Sequence, residues 1–319
     1  MENSPIFIVG MPRSGTTLIR YCLNQHSRIY IAPESNFFRM VYGNRSLLPE
    51  NTISENADKI IQKLMMFSQE KEDMHLMKEF FYLKDNLRTE IAEQAKTYQD
   101  VAKIIFSRMA EEKGKIRWGE KTPTHIFYID QILDLFPDAK IINMQRNPKN
   151  MIASNFKSSH IYGDFIDNCL MYKKCLEYGE KNKEKILTIK YEALTLNPEK
   201  TMRQICLYIN EDFEPSVLKP GMIDSSYNTT SILHNKDIQI KPENSEKWKN
   251  ALTESQSNFI DFLFDKKRNF ENQYILQLLK MFLKETYFNI QLSKNRLGYE
   301  NIKRVFSNNW EWIKNNEHN

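Results

Sequence analysis

The sequence has few cysteines, and they form none of the patterns of a disulfide framework or a zinc site. Cys22, Cys169, Cys175 and Cys206 include no CxxC pair and no cluster with histidine at metal-ligand spacing. We therefore expect buried, reduced thiols, which are typical of a reducing compartment. We expect no metal site.

The sequence also contains no long apolar run, and we expect no signal peptide. The first apolar run, Ile6–Val9, is too short for the core of a signal peptide. None of the later runs approaches the roughly 20 residues that a membrane span needs. These absences predict a cytoplasmic protein without a membrane span.

Neither sign of charge dominates. The 319 residues carry 45 Lys and Arg against 41 Asp and Glu, and the net charge of +4 is too small to indicate a nucleic-acid partner. Hydrophobic residues make up 41%, as in ordinary globular proteins. Because no internal repeat or low-complexity linker divides the chain, we predict a single domain over residues 1–319.

Strands and helices alternate along much of the chain. Short apolar runs predict strands at 5–10, 29–32, 139–145 and 186–190. Helical spacing of apolar residues predicts helices at 15–24, 124–136, 164–180 and 198–208. This alternation is typical of an α/β fold with a parallel, doubly wound sheet flanked by helices.

Two segments depart from this alternation. Residues 44–115 show helical periodicity broken by polar stretches, and we interpret them as a helical insertion over one edge of the sheet. Residues 265–319 are charged and contain several aromatic residues, and we expect a helical C-terminal segment there.

The loop after the first strand has the features of a phosphate-binding loop. It runs from Gly10 to Thr17 as GMPRSGTT, with two glycines five residues apart between a strand and a helix. Such a loop turns backbone N–H groups toward one point at a helix N-terminus, where the dipole favours an anion. Arg13 adds a guanidinium, which can hold a tetrahedral oxyanion with two hydrogen bonds.

Two marks of a nucleoside triphosphatase are missing. A Walker A motif requires lysine where this chain has Thr16. The strand 139–145 is followed by Arg146 and lacks the terminal aspartate of a Walker B motif. Both absences argue against a P-loop kinase or other phosphotransferase, which we keep as an alternative.

At this loop the sequence resembles a known family. The stretch PRSGTTL after an apolar strand is similar to the 5′-phosphosulfate loop of sulfotransferases that use 3′-phosphoadenosine 5′-phosphosulfate (PAPS). It is most similar to the branch with the tyrosylprotein and many bacterial enzymes. The resemblance implies a P-loop-type fold in which Arg13, Ser14, Gly15, Thr16 and Thr17 bind the donor, and in which Arg13 also serves catalysis.

A second match follows the strand 139–145. Arg146 comes directly after this strand, and Ser154 lies further along the predicted helix. The pair resembles the 3′-phosphate site of the same family. One nucleotide with two phosphate positions therefore accounts for both this pair and the Arg13 loop.

Glu34 and Lys121 match the catalytic positions of the family. Glu34 follows the second strand, at the sheet edge that binds ligands in parallel sheets, and the resemblance implies that it is the general base. The alternative is that Glu34 is only an acid near the start of a helix, where the helix dipole stabilises its charge. His26 is the competing candidate for the base, and we interpret it as structural. Lys121 resembles the lysine beside the sulfuryl group and leaving phosphate, and Thr122 is also a possible helix N-cap.

Tyr191 and Lys247 complete the match. Tyr191 closes a predicted strand, as does the adenine-contacting tyrosine of the family. The stretch that contains Lys241 and Lys247 resembles a late loop of the family that folds over the nucleotide. The resemblance implies sulfuryl transfer from PAPS, without a metal, to a hydroxyl, phenol or amine of a small-molecule, carbohydrate or peptide acceptor. A non-catalytic protein that binds PAPS or its product, adenosine 3′,5′-bisphosphate (PAP), is the second alternative.

Overall fold

The computed structural model of the protein describes residues 4–70, 74–157, 164–220, 240, 246–264, 274, 276–281, 283 and 284. Within these ranges, five parallel strands form a sheet with the order β2-β3-β1-β4-β5. The strands are β1 (Ile6–Gly10), β2 (Ile29–Ala32), β3 (Arg117–Lys121), β4 (Lys140–Gln145) and β5 (Leu187–Lys190). The predicted parallel sheet is confirmed, and β3 is a strand that the sequence did not predict.

Helices lie on both faces of this sheet. They are α1 (Thr16–Asn24), α2 (Phe37–Met40), α3 (Ala57–Glu70), α4 (Met74–Gln94), α5 (Tyr98–Glu111), α6 (Ile129–Leu135), α7 (Pro148–Lys157), α8 (Phe165–Lys181), α9 (Tyr191–Leu196), α10 (Pro198–Ile209) and α11 (Glu254–Phe264). Short 3₁₀ turns occur at Tyr42–Asn44, Glu50–Thr52, Pro123–Tyr128, Pro215–Leu218 and Lys247–Asn250.

Strand β1 is buried on both faces, which explains why its sequence is continuously apolar. Ile6 and Ile8 pack on one face with side chains of α1, α9 and α10. Phe7 and Val9 pack on the other face with side chains of α2, α5 and α8. The central strand is thereby fixed between two apolar layers, and the loop that follows it starts from a rigid support.

Strand β3 was missed because its sequence, RWGEK, is mostly charged. Arg117 is buried at 1% exposure, and its guanidinium donates to the carbonyl of Ser4 at 2.8 Å and to that of Ile209 at 2.5 Å. It also pairs with Glu211 at 3.0 Å. These partners are distant along the chain, so no local pattern reveals that the charged residues of β3 are satisfied inside the protein.

Helices α3, α4 and α5 occupy the segment 44–115 that was predicted to be helical. Helix α5 packs on β2 and β3, where Phe106 stacks on Trp118 with ring centroids 5.5 Å apart. The description of this segment as an insertion, and the extent of one domain over 1–319, stay predictions. Most of the predicted C-terminal segment, and Lys241, lie outside the described residues, but residues 276–281 are helical.

The single helix predicted over 124–136 is wrong in its first half. Pro123–Tyr128 form a 3₁₀ turn, and only Ile129–Leu135 are α-helical. Ile126, Phe127 and Tyr128 are all buried, and one face of an α-helix does not present three consecutive residues to a core. The turn instead packs against both β1 and α8, where Phe127 contacts Tyr178, so its consecutive residues are buried against two different neighbours.

The four cysteines are buried and form no disulfide. Burial raises the pKa of the Cys22 thiol to about 12 and that of Cys206 to about 11. These thiols are therefore protonated and act as small apolar side chains. Within the described ranges, none of the helices has the length and hydropathy that a bilayer crossing requires.

Candidate active site

The carboxyl ends of the strands meet at one edge of the sheet, and the chain changes direction around β1. From β1 the chain supplies β2 and β3 on one side and β4 and β5 on the other. In open parallel sheets, ligands bind at this kind of switch point, outside the carboxyl ends of the strands. The predicted phosphate loop lies there because it connects β1 to α1.

The phosphate loop has a left-handed backbone at three positions. Gly10, Arg13 and Gly15 have φ angles of 137°, 70° and 98°. A Cβ on Gly10 would lie 2.3 Å from the carbonyl oxygen of Met144 in β4, so only glycine fits this close approach. Within the loop, the N–H of Ser14 and its hydroxyl both donate to the carbonyl of Met11, at 3.1 and 2.5 Å.

The loop delivers the N-terminus of α1 without a side-chain cap. The N-cap residue is Gly15, which has no side chain to bond the first N–H groups of this helix, and the first turn carries no acidic residue. The leading N–H groups of a helix have no partner within the helix and, together with the dipole, favour an anion. Thr16 and Thr17 belong to this first turn, and their binding of the donor phosphate stays a prediction.

The two arginine motifs of the sequence meet in space. Arg13 donates from Nε to the hydroxyl of Ser154 at 3.2 Å, and Arg146 donates to the main-chain oxygen of Arg13 at 2.7 Å. Arg146 follows β4, and Ser154 lies on α7. Two cations and a hydroxyl from three separate parts of the chain therefore form one group beside the phosphate loop.

Tyr191 packs against both the loop and Arg146. The guanidinium of Arg146 lies 4.6 Å from the centre of its ring. A Cβ on Gly15 would lie 2.4 Å from the same ring, which leaves no room for a side chain at that position. Tyr191 follows β5 and begins α9, so the predicted aromatic residue lies directly beside the predicted phosphate site.

Two residues that sequence analysis missed hold this arginine corner. The hydroxyl of Tyr172 on α8 donates to the carbonyl of Arg146 at 2.5 Å, and burial raises the pKa of that hydroxyl well above its usual range. Glu192 accepts a hydrogen bond from the N–H of Asn147 at 2.7 Å. Neither residue belongs to a recognisable motif, because each acts on a loop far from it in sequence.

Lys121 and Glu34 form an ion pair on the other side of β1. Lys121 Nζ lies 2.7 Å from Glu34 Oε1, and the two side chains are 6% and 26% exposed. Lys121 ends β3 and is paired in register with Ile8 of β1, two residues before Gly10. Glu34 precedes α2 and lies outside its first turn, and its carboxylate contacts the lysine.

The buried carboxylate of Glu120 is a neighbour of this ion pair, because Glu120 precedes Lys121 in β3 and contacts Ser35, which follows Glu34. Oε1 of Glu120 accepts from the N–H and hydroxyl of Ser35, at 3.0 and 2.9 Å, and from the hydroxyl of Thr122. Oε2 lies 3.0 Å from Nδ1 of His125, although the angle is outside hydrogen-bond geometry. The hydroxyl of Thr122 is thus engaged by Glu120 and does not cap the 3₁₀ turn that follows it.

His26 lies at the opposite edge of the sheet. It follows α1 and precedes β2, and its ring Nε2 lies 3.0 Å from the carbonyl oxygen of Asp212. Its Nδ1 accepts from the N–H of Arg28 at 3.2 Å, and the side chain is 1% exposed. This position, at the amino ends of the strands, fits the structural interpretation of His26.

Lys247 lies on the 3₁₀ turn Lys247–Asn250, which packs on the start of α7. The neighbouring Trp248 anchors this turn, because Lys149 Nζ lies 4.5 Å from its ring centre and 2.7 Å from Asp261 Oδ1. Lys247 itself is exposed. The structure therefore brings the turn to the helix that carries Ser154.

The described residues contain no group of three or more His, Cys, Asp or Glu side chains with the spacing of a metal site. The site is instead a phosphate loop at the end of β1, flanked by an arginine corner on the β4 side and a lysine–glutamate pair on the β3 side. This arrangement defines a P-loop-type α/β protein, and its cations and helix N-terminus have the chemistry that favours an anionic ligand.

The comparison with known proteins identifies the family. A sequence model described as "Sulfotransferase family" matches residues 5–215, and the chain belongs to that family. The chain is 25% identical over 266 residues to an uncharacterized protein of Aquifex aeolicus, with 78% of this chain and 31% of that protein covered. It is 24% identical over 273 residues to protein-tyrosine sulfotransferase 2 of Gallus gallus, with 77% of this chain and 63% of that enzyme covered.

A solved structure shows the same fold. The sulfotransferase domain of the Synechococcus PCC 7002 olefin synthase superimposes with a TM-score of 0.57 at 20% identity, covering 84% of this chain and 97% of that domain. The match spans less than two thirds of either curated relative. The predicted family and fold are confirmed.

Proposed function

We propose that the protein transfers a sulfuryl group from PAPS to a hydroxyl group of an acceptor. The observation that carries this proposal is the contact of Arg13 with Ser154 and Arg146. These residues join the loop assigned to the 5′-phosphosulfate with the pair assigned to the 3′-phosphate. PAPS carries both groups, so its 5′-phosphosulfate engages the loop of Arg13 and its 3′-phosphate engages Arg146 and Ser154.

Each residue has a distinct task in this transfer. The acceptor oxygen forms a bond to sulfur while the bond from sulfur to the 5′-phosphate oxygen breaks, and negative charge builds on the departing phosphate. Arg13, Lys121 and the N–H groups at the start of α1 stabilise that charge. Glu34 accepts the proton of the acceptor hydroxyl.

The remaining assignments concern the nucleoside and the acceptor. Tyr191 contacts the adenine, and Lys247 binds the nucleotide from the 3₁₀ turn on α7. A hydroxyl acceptor is favoured because a protein-tyrosine sulfotransferase is among the relatives. The scheme requires no metal, because the donor is already activated, and a cytoplasmic location stays a prediction.

The first test is ligand-dependent stability. PAP at saturating concentration should raise the melting temperature of the protein, and ATP with Mg²⁺ should raise it much less, since only PAP engages both phosphate positions. Equal or greater stabilisation by ATP would favour the kinase alternative instead.

The Arg146→Ala variant separates the two phosphate positions. It should weaken PAP binding roughly 10- to 100-fold, the loss of one charge-assisted hydrogen bond of about 1.5–3 kcal/mol. Binding of adenosine 5′-phosphate should change little, as measured by calorimetry. A similar loss for both nucleotides would mean that Arg146 only supports Arg13 and the loop.

A further inference from the structure

The loop that carries Glu34 and the strand end that carries Lys121 are joined by three consecutive contacts. Glu34 pairs with Lys121, and the following Ser35 donates twice to Glu120. The next backbone N–H, that of residue 36, donates to the hydroxyl of Thr122 at 3.1 Å. Two short segments, each from a different strand, are therefore connected residue by residue.

We propose that Glu120 is a positioning residue for sulfuryl transfer: it fixes the loop of Glu34 so that the carboxylate of Glu34 stays against Lys121. The proposal rests on the proposed function of those two residues. Glu120 is 1% exposed, which leaves it no access to an acceptor. It acts through the residues it holds.

The geometry around Glu120 supports a fixed position. Three donors from Ser35 and Thr122 converge on one of its oxygens, and the other oxygen lies beside His125. A buried carboxylate is costly unless such donors surround it. Phe38, in the helix after the loop, packs edge-on against His125 with ring centroids 5.1 Å apart, so the loop is held on this side as well.

Strand alternation lets Glu120 and Lys121 hold neighbouring residues of the Glu34 loop. Neighbouring residues in a strand point to opposite faces of the sheet. Glu120 and Lys121 thus hold Ser35 and Glu34 from the two faces of the same strand end. Removal of the Glu120 carboxylate releases Ser35, so the loop loses the middle one of its three contacts with this strand end and keeps those of Glu34 with Lys121 and of residue 36 with Thr122.

The test compares turnover with nucleotide affinity. Glu120→Ala should lower kcat roughly 10- to 100-fold, the effect of a displacement of about 1 Å in a reacting group. The Kd for PAP should stay within about twofold of the wild-type value, because Glu120 lies on the β3 side, away from the arginine corner. Glu120→Gln keeps an oxygen acceptor for Ser35 and Thr122, and should retain at least about a third of the wild-type kcat.

Glu211 offers a matched control at the other end of β3. It is a buried carboxylate that pairs with Arg117 and Arg28 at the amino edge of the sheet. Glu211→Gln should lower the melting temperature and leave kcat unchanged, measured well below that temperature. A fall in kcat for Glu211→Gln as large as that for Glu120→Ala would overturn the proposal, because it would show a general effect on β3.

Two further measurements test the proposal, and the first of them does not depend on the turnover assay. Amide hydrogen exchange in a peptide that covers residues 33–38 should be faster in Glu120→Ala and unchanged in Glu211→Gln, because the N–H of Ser35 loses its acceptor. The Glu34→Gln, Glu120→Ala double variant should be no slower than Glu34→Gln alone. Unchanged exchange or additive losses in kcat would contradict the positioning role.

Failure of this inference and failure of the proposed function give different results. The proposed function is wrong if the wild-type protein binds no PAP and transfers no sulfuryl group, whatever the exchange experiment shows. If the wild-type enzyme transfers sulfuryl groups and the Glu120→Ala variant is fully active, only the positioning role of Glu120 is wrong. If Glu120→Ala does not fold, Ser35→Ala takes its place, with a smaller loss of kcat expected and full activity counting against the role.

Discussion

At the scale of single residues, the proposed chemical step depends on Glu34. Glu34→Gln keeps the size of the side chain and one hydrogen-bond acceptor, but it loses the ability to take up a proton. We expect turnover to fall roughly 10²–10⁴-fold, while the Kd for PAP stays near the wild-type value. The assay is sulfuryl transfer from PAPS, or the reverse reaction from a chromogenic aryl sulfate.

The position of His26 gives this prediction its control. His26 lies at the amino edge of the sheet with its ring nitrogens engaged by main-chain groups. His26→Gln should therefore affect stability and leave the pH dependence of turnover unchanged. Normal turnover in Glu34→Gln together with an inactive, folded His26→Gln would mean that the base is assigned to the wrong residue.

Residues in contiguous motifs could be predicted from the sequence, whereas contacts between motifs could not. Arg13 and Ser14 lie in a short loop whose glycines and flanking strand identify it. Arg146 and Ser154 share one strand-to-helix unit. The pairing of Glu34 with Lys121 requires β3 to lie beside β2, and that neighbourhood is not visible in a sequence where β3 was not recognised.

At the scale of elements, apolar strands were predictable and the charged strand was not. The predicted strands at 5–10, 29–32, 139–145 and 186–190 match β1, β2, β4 and β5 to within one residue at each end. Burial on both faces explains the apolar residues of β1, β2 and the middle of β4, whereas β5 is an edge strand in which only Ile189 is buried. Strand β3 is equally buried, but its charges are neutralised by partners such as Glu211 that only the folded chain brings close.

The 3₁₀ turn Lys247–Asn250 presents two lysines in different settings, which allows a matched comparison. Lys249 pairs at 2.5 Å with Glu246, the residue before the turn, whereas Lys247 is the residue assigned to the nucleotide. Lys247→Ala should raise the Kd for PAP by about 3- to 10-fold, as expected for one exposed cation contact. Lys249→Ala should leave the Kd within about twofold of wild type. Equal effects of the two variants in calorimetry would mean that Lys247 does not contact the nucleotide.

At the scale of the whole molecule, an acid–base cluster connects the start of α8 to Lys284, far along the chain. Lys284 Nζ lies 2.6 Å from Asp167 Oδ1 and 3.2 Å from Asp164 Oδ2. Burial, reinforced by repulsion from Asp164, raises the pKa of Asp167 from its ordinary value of 3.8 to about 6, although Lys284 opposes the shift. The folded protein therefore holds this proton more tightly than the unfolded chain does.

This shift predicts the direction of a pH effect on stability. Between pH 4 and 6 the folded state binds more protons at Asp167 than the unfolded state, so its contribution to the free energy of unfolding falls as the pH rises. Relative to Asp167→Asn, the wild type should lose on the order of 2 kcal/mol across this window in urea denaturation. A difference that grows with pH would contradict the raised pKa.

The strand order also bears on how the chain becomes a sheet as it leaves the ribosome. Among the residues that the structure describes, β1 pairs with β3 and β4, and β2 pairs with β3. A nascent chain that ends before Arg117 thus contains these two apolar strands without the strands that pair with them in the described sheet. Translation must proceed for more than eighty residues after β2 before the first strand pair can close, and until then the edges of β1 and β2 are sites at which chaperones can bind or other chains can associate.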